Sequence, residues 1–167
     1  MQTATTRILG ATLVIIFICG GLQSAQAQFE LGPRLGFDLE VEELHIGVEA
    51  RFDLPSVDLP IKIKPSIDYF FVENFTLMSF DANGIYEFDL EGGTITPYAG
   101  AGLGITYWSF DTEFEGFGID ASETNVGLNL LGGAVFGSGG MRPFAEVRFN
   151  TDDLLTLTGG VLFGMGN

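Results

Sequence analysis

Large apolar residues alternate with glycine or polar residues along eight stretches of this 167-residue chain. Between Ile95 and Ser109, the residues Ile95, Ala99, Ala101, Leu103, Ile105 and Tyr107 share one parity, and Thr96, Gly100, Gly102, Gly104 and Thr106 share the other. Successive side chains of a strand point to opposite faces, so the pattern predicts a sheet with one bulky apolar face and one slim polar face. Strands are predicted at about 29–39, 44–53, 61–72, 76–89, 95–109, 124–136, 141–150 and 154–164.

The connections fall into two alternating sets. Glu40–Glu43, Glu73–Phe75, Phe110–Glu123 and Thr151–Asp153 are acidic, and the fourteen-residue Phe110–Glu123 is expected to be the longest loop. Leu54–Pro60, Leu90–Thr94 and Gly137–Gly140 carry the turn formers Pro55, Pro60, Gly92, Gly93 and the run Gly137-Ser138-Gly139-Gly140. Short turns at one end and longer loops at the other are the arrangement of a transmembrane barrel, with the acidic set expected outside.

Counting what each face carries decides which side is the interior. The apolar face gathers about forty large or aliphatic side chains, among them Leu35, Ile46, Val48, Ile63, Ile67, Leu128, Leu130 and Val147. The other face holds nine glycines, at positions 32, 36, 47, 100, 102, 104, 127, 133 and 160. An eight-stranded barrel is only just wide enough to be filled by side chains. Forty bulky groups cannot fit there, so the slim face is expected inside and the apolar face outside, against lipid.

Charge follows the same division. Arg34, Arg51, Lys62, Lys64, Arg142 and Arg148 all lie on the slim face, as do Asp38, Glu49, Asp53, Asp68, Asp81, Glu87, Asp89 and Glu146. Burying a charge is costly unless it is paired, so a lumenal ion-pair network is predicted from Arg34, Glu49, Arg51, Lys64, Asp68, Glu146 and Arg148. A charge at the midplane of the lipid face would cost about 2–4 kcal/mol, and the pattern places none there. Aromatic residues of the apolar face gather near the strand ends. Phe37, Tyr69, Phe71, Tyr107 and Phe149 form the expected outer belt, and Phe29, Phe52, Tyr86, Phe88, Phe136 and Phe163 the inner one.

The first residues read as an export signal. Arg7 supplies a positive region, Ile8–Ile18 an apolar core too short to span a membrane, and Ala25-Gln26-Ala27 a small-x-small cleavage site. Cleavage after Ala27 is expected, leaving 28–167 as one barrel domain with no cysteine and hence no disulfide. Loss of Arg7 leaves 6 basic against 22 acidic residues, a formal charge of −16. Phosphate contacts need clustered Lys and Arg, so nucleic acid is excluded as a partner.

The run Thr96-Pro97-Tyr98-Ala99-Gly100-Ala101-Gly102-Leu103-Gly104 resembles the strand motif of the small outer-membrane β-barrel proteins, the group containing the OmpA membrane domain, OmpX and OmpW. The resemblance implies insertion into a bacterial outer membrane and contact with its lipids; it does not imply one activity. It also implies handling by the barrel-assembly machinery, which reads a terminal aromatic residue in members of the group. Here Phe163 stands four places before the end of the chain and is the residue placed for that role.

Some barrels of this kind carry a His and a Ser near the outer rim and hydrolyse or transfer acyl groups. His45, the only histidine, has Ser66, Ser79 and Ser109 as conceivable nucleophiles and Asp68 and Asp81 as orienting acids. No strained nucleophile motif accompanies them, so a lumenal histidine satisfied by carboxylates is expected, and no enzyme. Eleven acidic residues in the outer loops, from Glu40 to Asp153, have no Lys or Arg beside them. They match no EF-hand spacing and are expected to form a solvated rim that gathers divalent cations weakly, without a resident cofactor. Gly100, Gly102 and Gly104 are read as room for bulky inward neighbours such as Tyr98, Trp108 or Phe144, in preference to a groove for a hydrophobic ligand.

The chain therefore reads as an all-β, eight-stranded antiparallel up-and-down transmembrane β-barrel with a plugged polar lumen, acting as a surface scaffold. The alternatives are a channel or carrier for small or hydrophobic molecules and, with the apolar face turned inward, a lipocalin-like soluble carrier.

Overall fold

A computed structural model describes residues 29–54, 60–73, 75–90, 93–114, 117–152 and 154–165, with the side chains of 110–121 excluded. The export-signal reading of 1–27, and the acidic residues Glu115 and Asp153, lie outside the described residues.

Eight strands close into one barrel: β1 (Phe29–Asp38), β2 (Glu43–Asp53), β3 (Ile61–Phe70), β4 (Phe75–Glu87), β5 (Ile95–Phe114), β6 (Phe117–Phe136), β7 (Met141–Asn150) and β8 (Leu154–Gly164). Each strand pairs antiparallel with its sequence neighbour, and β1 closes on β8 from Glu30↔Gly164 to Asp38↔Thr156. Closure gives the strand backbones partners on both sides through the height of the wall, the condition a sheet must meet in hydrocarbon. Six of the strands run 10 to 13 residues, close to the 9–11 that cross a bilayer when tilted.

The expected long loop is the main correction. Residues 110–114 and 117–123 continue β5 and β6, which reach 20 residues each and stay paired from Phe110↔Ala121 to Phe114↔Phe117. A hairpin beyond a membrane can keep its ladder in water. Its acidic residues, which read as a loop, are compatible with a solvated two-stranded ribbon. Smaller differences lie at β3 and β4, which end at Phe70 and Glu87. There Phe71 and Phe88 still donate their amides to Leu44 and Pro97 at 2.8 Å, so the chain remains attached to the wall.

The interior is layered. At the outer end Phe70, Leu77 and Leu154 form an apolar layer with Val41, Val72, Phe75 and Trp108 packed against it. At the inner end Ile85, Tyr98, Leu131, Val135, Phe144 and Leu162 form another. Charged and amide side chains fill the middle. The outer wall is apolar, with Val48 50%, Leu128 59% and Leu130 62% exposed. That is opposite to the orientation a lipocalin-like carrier needs.

Candidate functional site: a sealed lumenal ion network

Parity brings four cations and four carboxylates into the middle of the barrel, each side chain almost fully excluded from water. Arg34 on β1 places Nη1 3.1 Å from Glu49 Oε2, Nε 3.0 Å from Asp68 Oδ1 and Nη2 3.6 Å from Glu146 Oε1. Arg148 on β7 bridges Asp68 Oδ2 at 3.1 Å and also pairs with Asp81. Lys64 on β3 lies 3.6 Å from Glu49 and pairs with Glu146. Arg51 donates from Nε to Glu49 Oε1 at 2.9 Å. Arg51 also reaches Glu87 Oε1 at 3.6 Å, so every one of the four cations has at least one carboxylate beside it in a space with little water to screen it.

Arg34, Glu49, Arg51, Lys64, Asp68, Glu146 and Arg148, the residues expected to pair, are thus brought together. Further contributors complete the network. Tyr98 donates its hydroxyl to Glu146 Oε2 at 2.9 Å and accepts from Arg51 Nη2 at 3.2 Å. Its ring lies 4.5 Å from the Arg51 guanidinium carbon, with Phe144 at 5.2 Å, so the cation is held between two aromatic faces. Asp81 takes Arg148, Ser79 Oγ at 3.1 Å and Asn129 Nδ2 at 2.8 Å, and Asn150 continues the chain to Asn129 Oδ1 at 2.6 Å. Asp81 and Tyr98 both have inward parity. Which partners they meet depends on closure across strands 47 and 48 residues apart for Tyr98, which parity alone does not reveal. A second, wetter cluster sits at the inner mouth, where Lys62 meets Glu30 at 3.3 Å, Glu87 at 3.1 Å and Asp53 at 3.7 Å, and Arg142 pairs with Glu30.

His45 is buried, but its neighbour differs from the one expected. Its Nε2 lies 3.1 Å from the Thr158 hydroxyl and its ring 4.9 Å from Phe70, so a hydroxyl takes the place of a carboxylate. It lies under the outer apolar layer, closed to solvent. Ser66 and Ser79 both direct their hydroxyls to Asp81 and neither to His45.

The glycines of the slim face make room, although not all for the neighbours expected. A Cβ on Gly133 would lie 2.6 Å from the Tyr98 hydroxyl, and one on Gly160 would meet the Phe144 ring. Gly100, Gly102 and Gly104 instead make way for Ile85, Asn83 and the Asp81–Asn150 side chains respectively.

Of the aromatic positions, Phe37, Tyr69, Phe71, Phe149, Tyr86, Phe88, Phe136 and Phe163 are exposed on the outer wall, and Phe29, Phe52 and Tyr107 are half-buried. Ring contacts pair Phe29 with Phe52 at 5.0 Å, Tyr69 with Phe71 at 5.5 Å and Tyr86 with Phe88 at 4.9 Å. A shallow groove bordered by Leu35, Ile46, Val48, Ile67 and Tyr69 lies on the outer wall.

The fold is that of the small eight-stranded outer-membrane β-barrels. Neisserial surface protein A is similar over 84% of this chain and 98% of that one, with 17% identity and a TM-score of 0.63. The N-terminal β-barrel domain of Pseudomonas aeruginosa OprF is similar over 83% of this chain and 97% of that domain, with 15% identity and a TM-score of 0.62. Ail, the attachment invasion locus protein of Yersinia pestis, is similar over 83% and 95%, with 15% identity and a TM-score of 0.51. No family model and no curated protein sequence matches the chain.

Proposed function

We propose that this protein is an integral barrel of a bacterial outer membrane, exported through residues 1–27, whose lumen is occluded and whose role is to hold acidic outer segments at the surface. The observation that carries the reading is the inversion of ordinary burial. Arg51, Lys64 and Asp68 are wholly enclosed while Leu35, Leu128 and Leu130 are more than half exposed. In water, apolar exposure on this scale favours aggregation; in a bilayer it is the favourable arrangement.

The spacing of the aromatic positions supports it. Phe29 and Phe37 stand eight residues apart on β1, about 26 Å along the strand and about 20 Å along the membrane normal at the usual tilt. Two apolar layers enclosing a network of paired charges support occlusion over passage, because an ion crossing the lumen would have to displace paired groups and enter dry apolar layers. The partners of this reading are outer-membrane lipids, the barrel-assembly machinery acting on Phe163 at the end of β8, and divalent cations held weakly by the acidic rim. Nucleic acid and catalysis form no part of it.

Membrane fractionation combined with heat-modifiable gel mobility tests the membrane assignment: the protein should sediment with outer membranes and migrate differently before and after boiling. Planar-bilayer recording tests occlusion, since steady channels would replace the scaffold reading with transport.

A further inference from the structure

The outer mouth of the lumen is floored by apolar side chains that are only partly covered. Phe70, Leu77 and Leu154 are buried there, and Val41, Val72, Phe75 and Trp108 rest on them half-buried. Trp108 is the cross-strand neighbour of Leu77 on β4 and of Glu123 on β6, so the three side chains share the lumenal face of the wall. The Trp108 ring stacks on Phe75, with centroids 5.4 Å apart and planes 27° apart. Side chains of this parity do not face lipid. What they leave exposed therefore meets the water outside the barrel, where an apolar surface has no favourable partner.

Charge at this mouth has one sign. Glu123 stands beside Trp108, and Glu40, Glu42 and Glu73 flank Val41 and Val72 in the connections; all four are exposed. At the outer end of β1, Asp38 is fully enclosed. Among the described residues its Oδ2 has no hydrogen-bond partner and no Lys or Arg pairs with it. The six cations of 28–167 are held deeper in the lumen or at the inner mouth by other carboxylates.

An aromatic face attracts positive charge through its quadrupole, most strongly for Trp, and a carboxylate beside the ring adds to that attraction. A hydrated metal ion gains nothing from the apolar floor. A small organic ammonium uses both features, with alkyl groups for the floor and a diffuse charge for the ring and the acids.

We propose that the outer mouth binds a small quaternary alkylammonium ion, with its charge held between Trp108 and Glu123 and its alkyl groups on the apolar floor. The proposal rests on the outer-membrane reading only in having this end of the barrel open to water. Binding measured in detergent micelles therefore fails or succeeds independently of fractionation.

The full-length protein in maltoside micelles, which carry no ammonium group, is titrated with choline chloride at an ionic strength held constant with sodium chloride. Trp108 is the only tryptophan of the chain, so its emission reports on the mouth. The matched control is the neutral alcohol in which a tert-butyl group replaces the trimethylammonium of choline. Glu123→Gln is read by the same emission. Trp108→Phe and Trp108→Leu are read by saturation-transfer NMR on the choline methyl protons, and heat-modifiable mobility verifies folding of all three.

Choline is expected to change the Trp108 emission saturably, and the neutral alcohol to leave it unchanged at the same concentrations. Glu123→Gln should weaken binding about threefold and Trp108→Leu about fivefold or more, with Trp108→Phe affected less because an aromatic face remains. Glu123 is exposed, so its variant keeps the test open even where a Trp108 variant does not fold. Equal binding of the neutral alcohol would show apolar partition without recognition of charge. Undiminished binding by Trp108→Leu or by Glu123→Gln would place the cation elsewhere on the acidic rim. Any of these, or an emission that choline leaves unchanged, overturns the proposal.

Discussion

Tyr98 gives its hydroxyl hydrogen to Glu146 Oε2 at 2.9 Å while its oxygen accepts from Arg51. One phenol thereby joins the inner apolar layer to the charged middle of the lumen. The pair also explains why a ring can stand here at all, since Gly133 supplies the space its hydroxyl occupies.

Tyr98→Phe should keep the packing and delete both bonds. An unfulfilled buried charged acceptor typically costs about 1–3 kcal/mol. Urea unfolding in lipid vesicles is expected to show a loss of that size with an unchanged slope. Gly133→Ala should lower stability too, through overlap with the same ring, by about 1–3 kcal/mol.

Lys64 is enclosed between Glu49 and Glu146. Lys64→Met leaves two carboxylates short of a counter-charge, and breaking a buried pair in this way costs about 3–5 kcal/mol. Adding Glu146→Gln should recover part of it, so the double variant should be more stable than Lys64→Met alone. Strict additivity in this double-mutant cycle would contradict the pairing.

The division of residues between lumen and wall is legible in the sequence because side-chain parity needs only local strand geometry. Arg34, Glu49 and Arg148 could be turned inward from their neighbours alone. What parity cannot supply is the shear that sets which inward residue meets which. For that reason the Tyr98 bridge, the Asp81–Asn129–Asn150 chain and the Thr158 partner of His45 emerge only from the closed barrel. The outer part of the β5–β6 hairpin was obscured for a different reason. Asp111, Glu113 and Asp120 carry the composition of a loop, and a solvated ribbon imposes no apolar face that would reveal its period.

Glu42 in the β1–β2 connection adopts φ 59°, in the left-handed region. The turn is held by Asp38, whose Oδ1 accepts the amides of Glu40 and Val41 at 2.9 Å. Glu42→Gly removes the steric cost of that conformation and is expected to raise stability by up to about 1 kcal/mol. The same denaturation assay reads the gain; a loss would show that the Glu42 side chain contributes more than its backbone strain.

On the outer wall of β2, Val48 lies midway between Leu44 and Phe52, which gives it the position of a midplane residue. Val48→Arg should destabilise the protein in vesicles by about 2–4 kcal/mol, whereas Glu40→Arg in the adjoining connection should change little.

If the apolar face of the sheet meets lipid, nitroxide accessibility along β2 must follow depth in the bilayer. Labels placed one at a time at Leu44, Ile46, Val48, Ala50 and Phe52 of the vesicle-reconstituted protein are compared for collisions with oxygen and with a water-soluble nickel complex. Oxygen access is expected to peak and nickel access to be lowest at Val48, with both reversing toward Leu44 and Phe52. Labels at Ile46 and Val48 that are freely reached by the nickel complex, or shielded from both reagents, would contradict contact with lipid.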